Sequence, residues 1–255
     1  VNVEEHHDAE IGWLPSPLIM AGLIVGRTKR ARIRASALLG NLYDPIRLAE
    51  DIAILDLASR GRFFFILGQG YREIEYHLHD KDWEKRGEQT DFIIETLVKA
   101  WKGEPFAYKG RTVHVSPAPY SKPHPPFFYG GMSRVAARRA ARWGLPFFPA
   151  QPMPELQDYY MEECRRLGRE GKVEIHEDMT LLFIVQSGLS ELIGAAFADH
   201  GIRPEHVASL VCGRAPEGDS PFLVGGVDHA PLLRQLVSSE LDADRMDYLL
   251  RDSFY

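Results

Sequence analysis

The sequence is poor in the features that mark secreted, membrane-spanning or nucleic-acid-binding chains. Its 255 residues include two cysteines, Cys164 and Cys212, far apart and in no metal-ligand spacing. So few thiols exclude a disulfide framework and make a reducing cytoplasm the expected compartment. No apolar run approaches the roughly 18 residues that a membrane helix needs. The segment from Val1 to Glu10 is polar and acidic, which is not the pattern of a signal peptide. Positive charge is not in excess: the net charge is -6, which argues against a nonspecific electrostatic grip on nucleic acid. Internal repeats and long linkers are also missing. What remains is ordinary globular composition, with 45% hydrophobic and 26% charged residues, in a length that suits one large domain or two smaller ones.

The pattern changes near residue 172. Before it, short β-rich apolar runs alternate with amphipathic helical stretches, as in a βαβ protein; after it, the pattern is helical almost throughout, as in an all-α one. In the first part, Pro17 to Arg27, Pro45 to Ser59, Gly87 to Trp101, Ser133 to Trp143 and Glu155 to Gly168 read as helices. Leu48, Ile52, Leu55 and Ala58 recur at helical spacing in the second of these. Ala31 to Leu39, Arg62 to Leu67, Pro126 to Tyr129 and Phe147-Phe148 read as strands; the unbroken apolar RFFFIL run suits a strand buried on both faces. Gly103 to Val115 reads as a hairpin or excursion. In the second part, helices are expected from about Glu177 to His200, broken near Gly188, from Pro204 to Cys212, and from about Leu232 onward. Pro216 to Gly226 reads as a loop.

Several clusters carry chemistry. In Phe127 to Ser133 a strand, a glycine turn and a helix start follow one another. The free N–H groups and positive dipole end of such a helix suit a phosphate, and Gly130 and Gly131 allow close approach; the same residues also make an ordinary βα turn. Gly68-Gln69-Gly70 closes the RFFFIL strand, where parallel α/β proteins bind ligands. Glu5-His6-His7 is the densest titratable cluster near the N-terminus, suited either to acid–base work or to a solvated terminus. His77 to Asp80 reads as a solvated loop, since histidines two apart share a face only on a strand. Near the C-terminus, Asp244, Tyr248, Arg251 and Asp252 fall on one helical side. They suit a divalent metal and a phosphate, or simply a solvated face with pairs such as Asp247 and Arg251.

Residues from about 3 to 171 resemble the bacterial luciferase-like monooxygenase family. The resemblance runs in order through EHH (Glu5 to His7), LPSPL (Leu14 to Leu18), RTKRARI (Arg27 to Ile33), YDPIRLAEDIAILDLASRGRF (Tyr43 to Phe63), GQGYREIEY (Gly68 to Tyr76), WKGEPFAYKGR (Trp101 to Arg111) and YGGMSRVAARRAARWG (Tyr129 to Gly144). It implies an α/β fold of the (β/α)₈ TIM-barrel type, here partial, starting at the end of the second barrel strand and stopping after about the sixth. It implies a reduced flavin, FMN, or the deazaflavin coenzyme F420, and oxidation of a small organic substrate. A flavin reductase and a homo-oligomer are partners that such enzymes admit. Glu5 and His6 would stand as a pair near the reactive face of the cofactor, with His6 as the catalytic histidine. Ser36-Ala37 would form a non-proline cis peptide under the ring. Gln69 and Gly70 would line the cofactor chain or phosphate, although many relatives carry arginine at that position. Gly130, Gly131, Met132 and Ser133 would wrap the phosphate; relatives more often have Ser or Gly in place of Met132.

Residues from about 175 to 255 resemble HD-domain phosphohydrolases, through HEDMT (His176 to Thr180), SELIG (Ser190 to Gly194), HGIRPEHVASLVCG (His200 to Gly213) and SSELDADRMDYLLRDSFY (Ser238 to Tyr255). That resemblance implies an all-α fragment in which Asp244 would ligate a divalent metal and Arg245, Tyr248 and Asp252 would hold substrate phosphate. The upstream histidine and His-Asp pair of such a metal site have no counterpart; His79-Asp80 falls in the barrel part. The resulting division is 1–172 and 173–255. Three readings follow: a flavin- or F420-dependent oxidoreductase, a metal-dependent nucleotide phosphohydrolase, and an inactive chimeric remnant.

Overall fold

In the computed structural model, residues 1–8, 12–173, 184–185, 188–212 and 221–237 are described. The chain divides into two compact units, Val1–Val173 and Glu174–Tyr255.

The first unit is built on one parallel sheet. Its strands are β1 (Asn2–Val3), β2 (Ile33–Leu39), β3 (Phe63–Gly68), β6 (Phe127–Gly130) and β7 (Phe147–Phe148), in that spatial order. All neighbours pair in parallel, and Val173 bridges in parallel to Phe147 beyond β7. Parallel neighbours cannot be joined by a tight turn, so each step along the sheet needs a crossover. The crossovers are α1 (Pro17–Arg27), α2 (Pro45–Ser59), the short α3 (Glu73–Leu78) with α4 (Arg86–Ala100), and α5 (Arg134–Trp143); α6 (Pro154–Arg166) follows β7. An antiparallel hairpin of β4 (Phe106–Tyr108) and β5 (Arg111–Val113) is inserted between α4 and β6. This is the expected βαβ order, with one addition: α3 runs into the His77 to Asp80 stretch that sequence pattern gave to a loop, so His77 and Leu78 are helical.

Local chemistry explains the boundaries. Asp44 caps α2 by accepting from the amides of Ile46 and Arg47, with Pro45 at the first helical position. Its far end closes through Arg60 and Gly61, both at positive φ. Ser133 caps α5 by accepting from Ala136 N at 3.2 Å, and Gly144 closes it at φ 68°. One face of α5 is alanine: Ala136, Ala137, Ala140 and Ala141 are all buried. Small side chains let this helix lie close to the sheet and to α6.

The core lies between sheet and helices. Ile33, Ala35, Phe63, Phe65, Phe127 and Phe147 point from the strands into it, with the Phe65 and Phe127 rings stacked at 5.1 Å. Trp101, at the end of α4, is buried there and donates its indole N–H to Ala49 O at 3.0 Å. The alternate strand positions, Arg34, Phe64, Ile66, Phe128 and Phe148, lie on the other face of the pleat, where the Arg34 guanidinium sits 5.6 Å from the Phe148 ring centre. Two acids, Asp56 buried and Asp91 half-buried, tie elements together. Asp56 on α2 accepts from Ser121 N (2.7 Å) and Ser121 Oγ (2.8 Å), anchoring the excursion that precedes β6. Asp91 on α4 accepts from Arg139 Nε (3.1 Å) and Trp143 Nε1 (2.8 Å) of α5 and pairs with Arg142. Burial pulls its carboxyl up, but the Arg142 and Trp143 hydrogen bonds and the Arg139 charge outweigh that and hold it below the ordinary value.

The second unit contains helices at Gly188–Ala196, Pro204–Cys212 and Ala230–Val237. The expectation of an all-α segment is corrected: Leu223–Val224, at the end of the stretch read as a loop, pairs antiparallel with Val227–Asp228 just beyond it. Gly225 (φ 61°) and Gly226 (φ 83°) fill the two turn positions. A two-residue hairpin turn with both central residues at positive φ favours glycine at each.

Two stability experiments follow. A Cβ on Gly68 would meet Ala37 Cβ at 2.8 Å, whereas one on Gly26 would meet nothing within 4 Å. Gly68→Ala should cost about 1–3 kcal/mol in urea melts, and Gly26→Ala, inside α1, should be neutral or stabilise by about 0.5–1 kcal/mol. Asp91→Asn should cost about 1–2 kcal/mol near neutral pH. Because the folded carboxyl lies below its ordinary 3.8, that contribution is complete above 3.8 and fades as pH falls through the lower folded value. The gap between wild type and variant should therefore close on acidification.

Candidate functional site

In an all-parallel sheet the carboxyl ends of the strands share one edge, and the loops leaving them converge there. Here that edge collects Glu5 to His7 after β1, Ser36 to Leu39 in β2, Gly68 to Gly70 after β3 and Gly130 to Ser133 after β6. With strands about 4.8 Å apart, β1 and β6 are separated by roughly 14 Å along the edge.

The β1 end is organised by two buried carboxylates. Glu5 is 2% exposed. Its Oε2 accepts from Leu39 N at 2.6 Å, and its Oε1 accepts from Tyr43 Oη at 2.7 Å and lies 3.1 Å from His7 Nε2. Burial and the adjacent Glu5 charge push the Tyr43 hydroxyl far above its ordinary value, so it remains a donor. Glu75, on α3, is fully buried. Its Oε1 lies 2.9 Å from His6 Nδ1, accepts from His7 N at 3.0 Å and is 3.5 Å from Arg72 Nη1. Arg72 also donates to the carbonyls of His7 and Asp8, the latter at 2.9 Å. The His6 ring stands 4.3 Å from Trp13 and 5.4 Å from Tyr71, centre to centre. His7 Nδ1 lies 3.3 Å from His79 Nε2; burial, then the neighbouring His7, hold His79 below the ordinary imidazole value.

At the next strand end, the Ser36–Ala37 peptide is cis, as the resemblance implies, and the β2–β3 register slips between Ser36 and Leu38. Gly68 lies against Ala37, and Gly70 (φ 78°) lies against Leu39. Gln69 does not present its amide outward. Its Nε2 donates to Thr90 Oγ1 (2.9 Å) and Arg86 O (3.2 Å), and its backbone carbonyl accepts from Tyr76 Oη at 2.6 Å. Asn41 joins this network by donating to Tyr76 Oη and Arg86 O, each at 2.9 Å. Burial pushes the Tyr76 hydroxyl up to about 12, keeping it protonated.

After β6 the backbone is bare. A Cβ on Gly130 would strike Ile66 at 2.8 Å and one on Gly131 would strike Ala136 at 2.6 Å. Met132 is largely exposed. Beside it an open cleft of about 380 Å³ is lined by Met132, Ser133 and Arg134 at the start of α5 and by Met153 to Leu156 at the start of α6. The helix N-terminus and Arg134 give this cleft positive character on one side; Glu155 opposes it on the other.

Glu5 is buried and His6 is half-buried at the strand ends, neither of them solvated at a terminus. They are not partners, however: Glu5 serves Leu39, Tyr43 and His7, while His6 is held by Glu75. Sequence reasoning missed Glu75, Arg72 and Tyr43. Glu75 sits inside the GQGYREIEY motif, but its pairing with His6 spans 69 residues, beyond any local pattern. Asp244, Arg245, Tyr248 and Asp252 lie outside the described residues. Among the described residues no group of three or more His, Cys, Asp or Glu could hold a metal ion, and no helix is long and apolar enough to cross a membrane.

Comparison with known proteins agrees with this geometry. The family model described as luciferase-like monooxygenase matches residues 1–182. The alkanal monooxygenase alpha chain of Photorhabdus luminescens is 30% identical over 156 residues, covering 56% of this chain and 41% of the relative. The chain thus spans about two fifths of the length of such curated relatives. Among solved structures, the monooxygenase RslO1 from Streptomyces bottropensis superimposes with TM-score 0.62 at 20% identity, covering 83% of this chain and 68% of that one. The oxygenating constituent of 3,6-diketocamphane monooxygenase of Pseudomonas putida, solved with FMN, gives 0.58 at 17% identity over 89% and 72%. The coenzyme F420-dependent tetrahydromethanopterin reductase of Methanopyrus kandleri gives 0.56 at 15% identity over 93% and 74%. These likenesses identify the fold of the first unit as the TIM-barrel type, and they lend no support to an HD-domain reading of the second. With its model matched across more than two thirds of the residues, the chain belongs to the luciferase-like monooxygenase family.

Proposed function

We propose that the chain binds a reduced flavin, FMN, or coenzyme F420 along the carboxyl edge of the sheet and takes part in oxidation of a small organic substrate. The observation that carries this reading is the convergence on one edge of a half-buried, oriented His6, the cis Ser36–Ala37 peptide in β2 and the side-chain-free Gly130-Gly131 turn. The groups fit an extended ligand with a flat ring at one end and a phosphate at the other. The ring would lie near His6 and Ser36-Ala37. The phosphate would meet the backbone N–H groups from Gly131 to Ser133, with Arg134 at hand. Gly70 would line the path between, and Gln69 would support it from below through Thr90 and Arg86. A bound flavin or deazaflavin would supply the two-electron chemistry. This chain would hold the ring, exclude water from it with Trp13 and Tyr71, and give or take a proton at His6. Glu5, with both oxygens committed, would brace the loop that carries His6. Names such as "oxygenating constituent" for one neighbour support a separate reductase as the source of reduced cofactor. A free, buried Cys164 agrees with a reducing cytoplasm.

The first test is a thermal melt of the purified chain with saturating FMN or F420. Ligand at about 100 times its dissociation constant adds about 2.7 kcal/mol to the folded state, so one cofactor should raise the midpoint by several degrees. A midpoint that neither cofactor moves would remove the proposal. Within it, His6→Ala should lower turnover about 10²-fold or more while cofactor affinity stays within about 3-fold by fluorescence titration. Lost affinity with retained turnover is the contrary outcome.

A further inference from the structure

We infer that Glu75 is the positioning residue for His6: its buried carboxylate fixes the imidazole tautomer with the proton on Nδ1 and leaves Nε2 as the working nitrogen. This rests on the proposed role of His6 and adds the group that prepares it.

The geometry is one-sided. Glu75 Oε1 lies 2.9 Å from His6 Nδ1 and also accepts the His7 amide at 3.0 Å. A carboxylate oxygen offers lone pairs, so the hydrogen between it and the ring belongs to Nδ1. Its other oxygen, Oε2, is buried with no hydrogen-bond partner among the described residues. Burying an acceptor without a partner costs roughly 1–3 kcal/mol, a cost that points to a role beyond holding the loop, for which the neighbouring Arg72 contacts to the His7 and Asp8 carbonyls already serve. Among the described residues no protein group bonds Nε2 of His6. A ring flip that exchanged the two nitrogens would have to turn between Trp13 at 4.3 Å and Tyr71 at 5.4 Å and would forfeit the Glu75 contact.

The adjacent histidine is the internal contrast. Both nitrogens of His7 are engaged inside the chain, Nε2 with Glu5 and Nδ1 with His79. Of this pair, His6 alone keeps a nitrogen open, and Glu75 decides which. In the proton step, neutral His6 takes a proton at Nε2 while Nδ1 keeps its own. The resulting imidazolium forms beside the Glu75 carboxylate; the reverse step returns the same proton from Nε2. Such orientation through the second ring nitrogen is a general device for histidines that act through the first.

The test is nitrogen-15 NMR of the full chain labelled at histidine, read without any cofactor. Two-bond proton–nitrogen correlations distinguish the tautomers, and loss of signals in His6→Gln identifies the His6 ring among the ten histidines. In the neutral form of His6, wild type should show the hydrogen on Nδ1. Glu75→Leu, which fills the space and cannot accept, should move the ring to the Nε2–H form. Glu75→Gln should keep Nδ1–H, because the His7 amide holds the carboxamide oxygen on the Oε1 side. In turnover assays Glu75→Leu should lower kcat about 10- to 100-fold at an unchanged KM for cofactor, with Glu75→Gln restoring most of it. An Nε2–H tautomer in wild type overturns the inference even if no variant folds. An unchanged tautomer in folded Glu75→Leu overturns it as well. If His6→Ala leaves turnover intact, the proposed function fails while the tautomer result stands by itself.

Discussion

The 2.6 Å hydrogen bond from the Leu39 amide to the buried Glu5 carboxylate joins the first strand end to the second, and the rest of the site hangs from that junction. A short parallel strand such as β1 has little ladder to hold it. Glu5 compensates by accepting from a backbone amide of β2 and from the Tyr43 hydroxyl beyond it. With the chain pinned at residue 5, His6 and His7 point to opposite neighbours, one to α3 and one to Glu5 itself. Glu75 and Arg72 then close the loop from the other side. Burying two carboxyl groups this close is offset by donors to both oxygens of Glu5 and to one oxygen of Glu75.

Much of the first unit is legible in the sequence because its signals are local. RFFFIL reads as a doubly buried strand, and the structure buries all of β3. The capping of α2 by Asp44-Pro45 and of α5 by Ser133 and Gly144 depends on residues within a few positions. The helix α3 was not legible: six residues long, it is held by contacts of Glu75 and Tyr76 to distant elements, not by periodicity. The same limit applied to the site. The glycine turns and the Glu-His-His cluster stood out as residue types, whereas the identity of the His6 partner depended on a contact across the sheet edge. The resemblance paired His6 with Glu5; packing sets Glu75 against it.

The second unit shows the opposite balance. Its helix at Pro204–Cys212 follows from a proline start and an apolar stripe. The Leu223 to Asp228 hairpin does not, because its strands are two residues each and the glycine pair that turns it also reads as a loop. Helical character there describes composition and says nothing specific about a phosphohydrolase.

Gln69 places a constraint on the evolutionary routes open to this site. Its side-chain amide donates to Thr90 Oγ1 and the Arg86 carbonyl, and its backbone carbonyl accepts from Tyr76, whose hydroxyl also accepts from Asn41. An arginine at that position would keep donors for Thr90 and the Arg86 carbonyl but would bring a longer, charged group into a place packed around a neutral amide. The backbone carbonyl would keep its bond from Tyr76. A change at 69 is therefore coupled to position 90, whose hydroxyl accepts from the side chain there and in turn donates to Asn41.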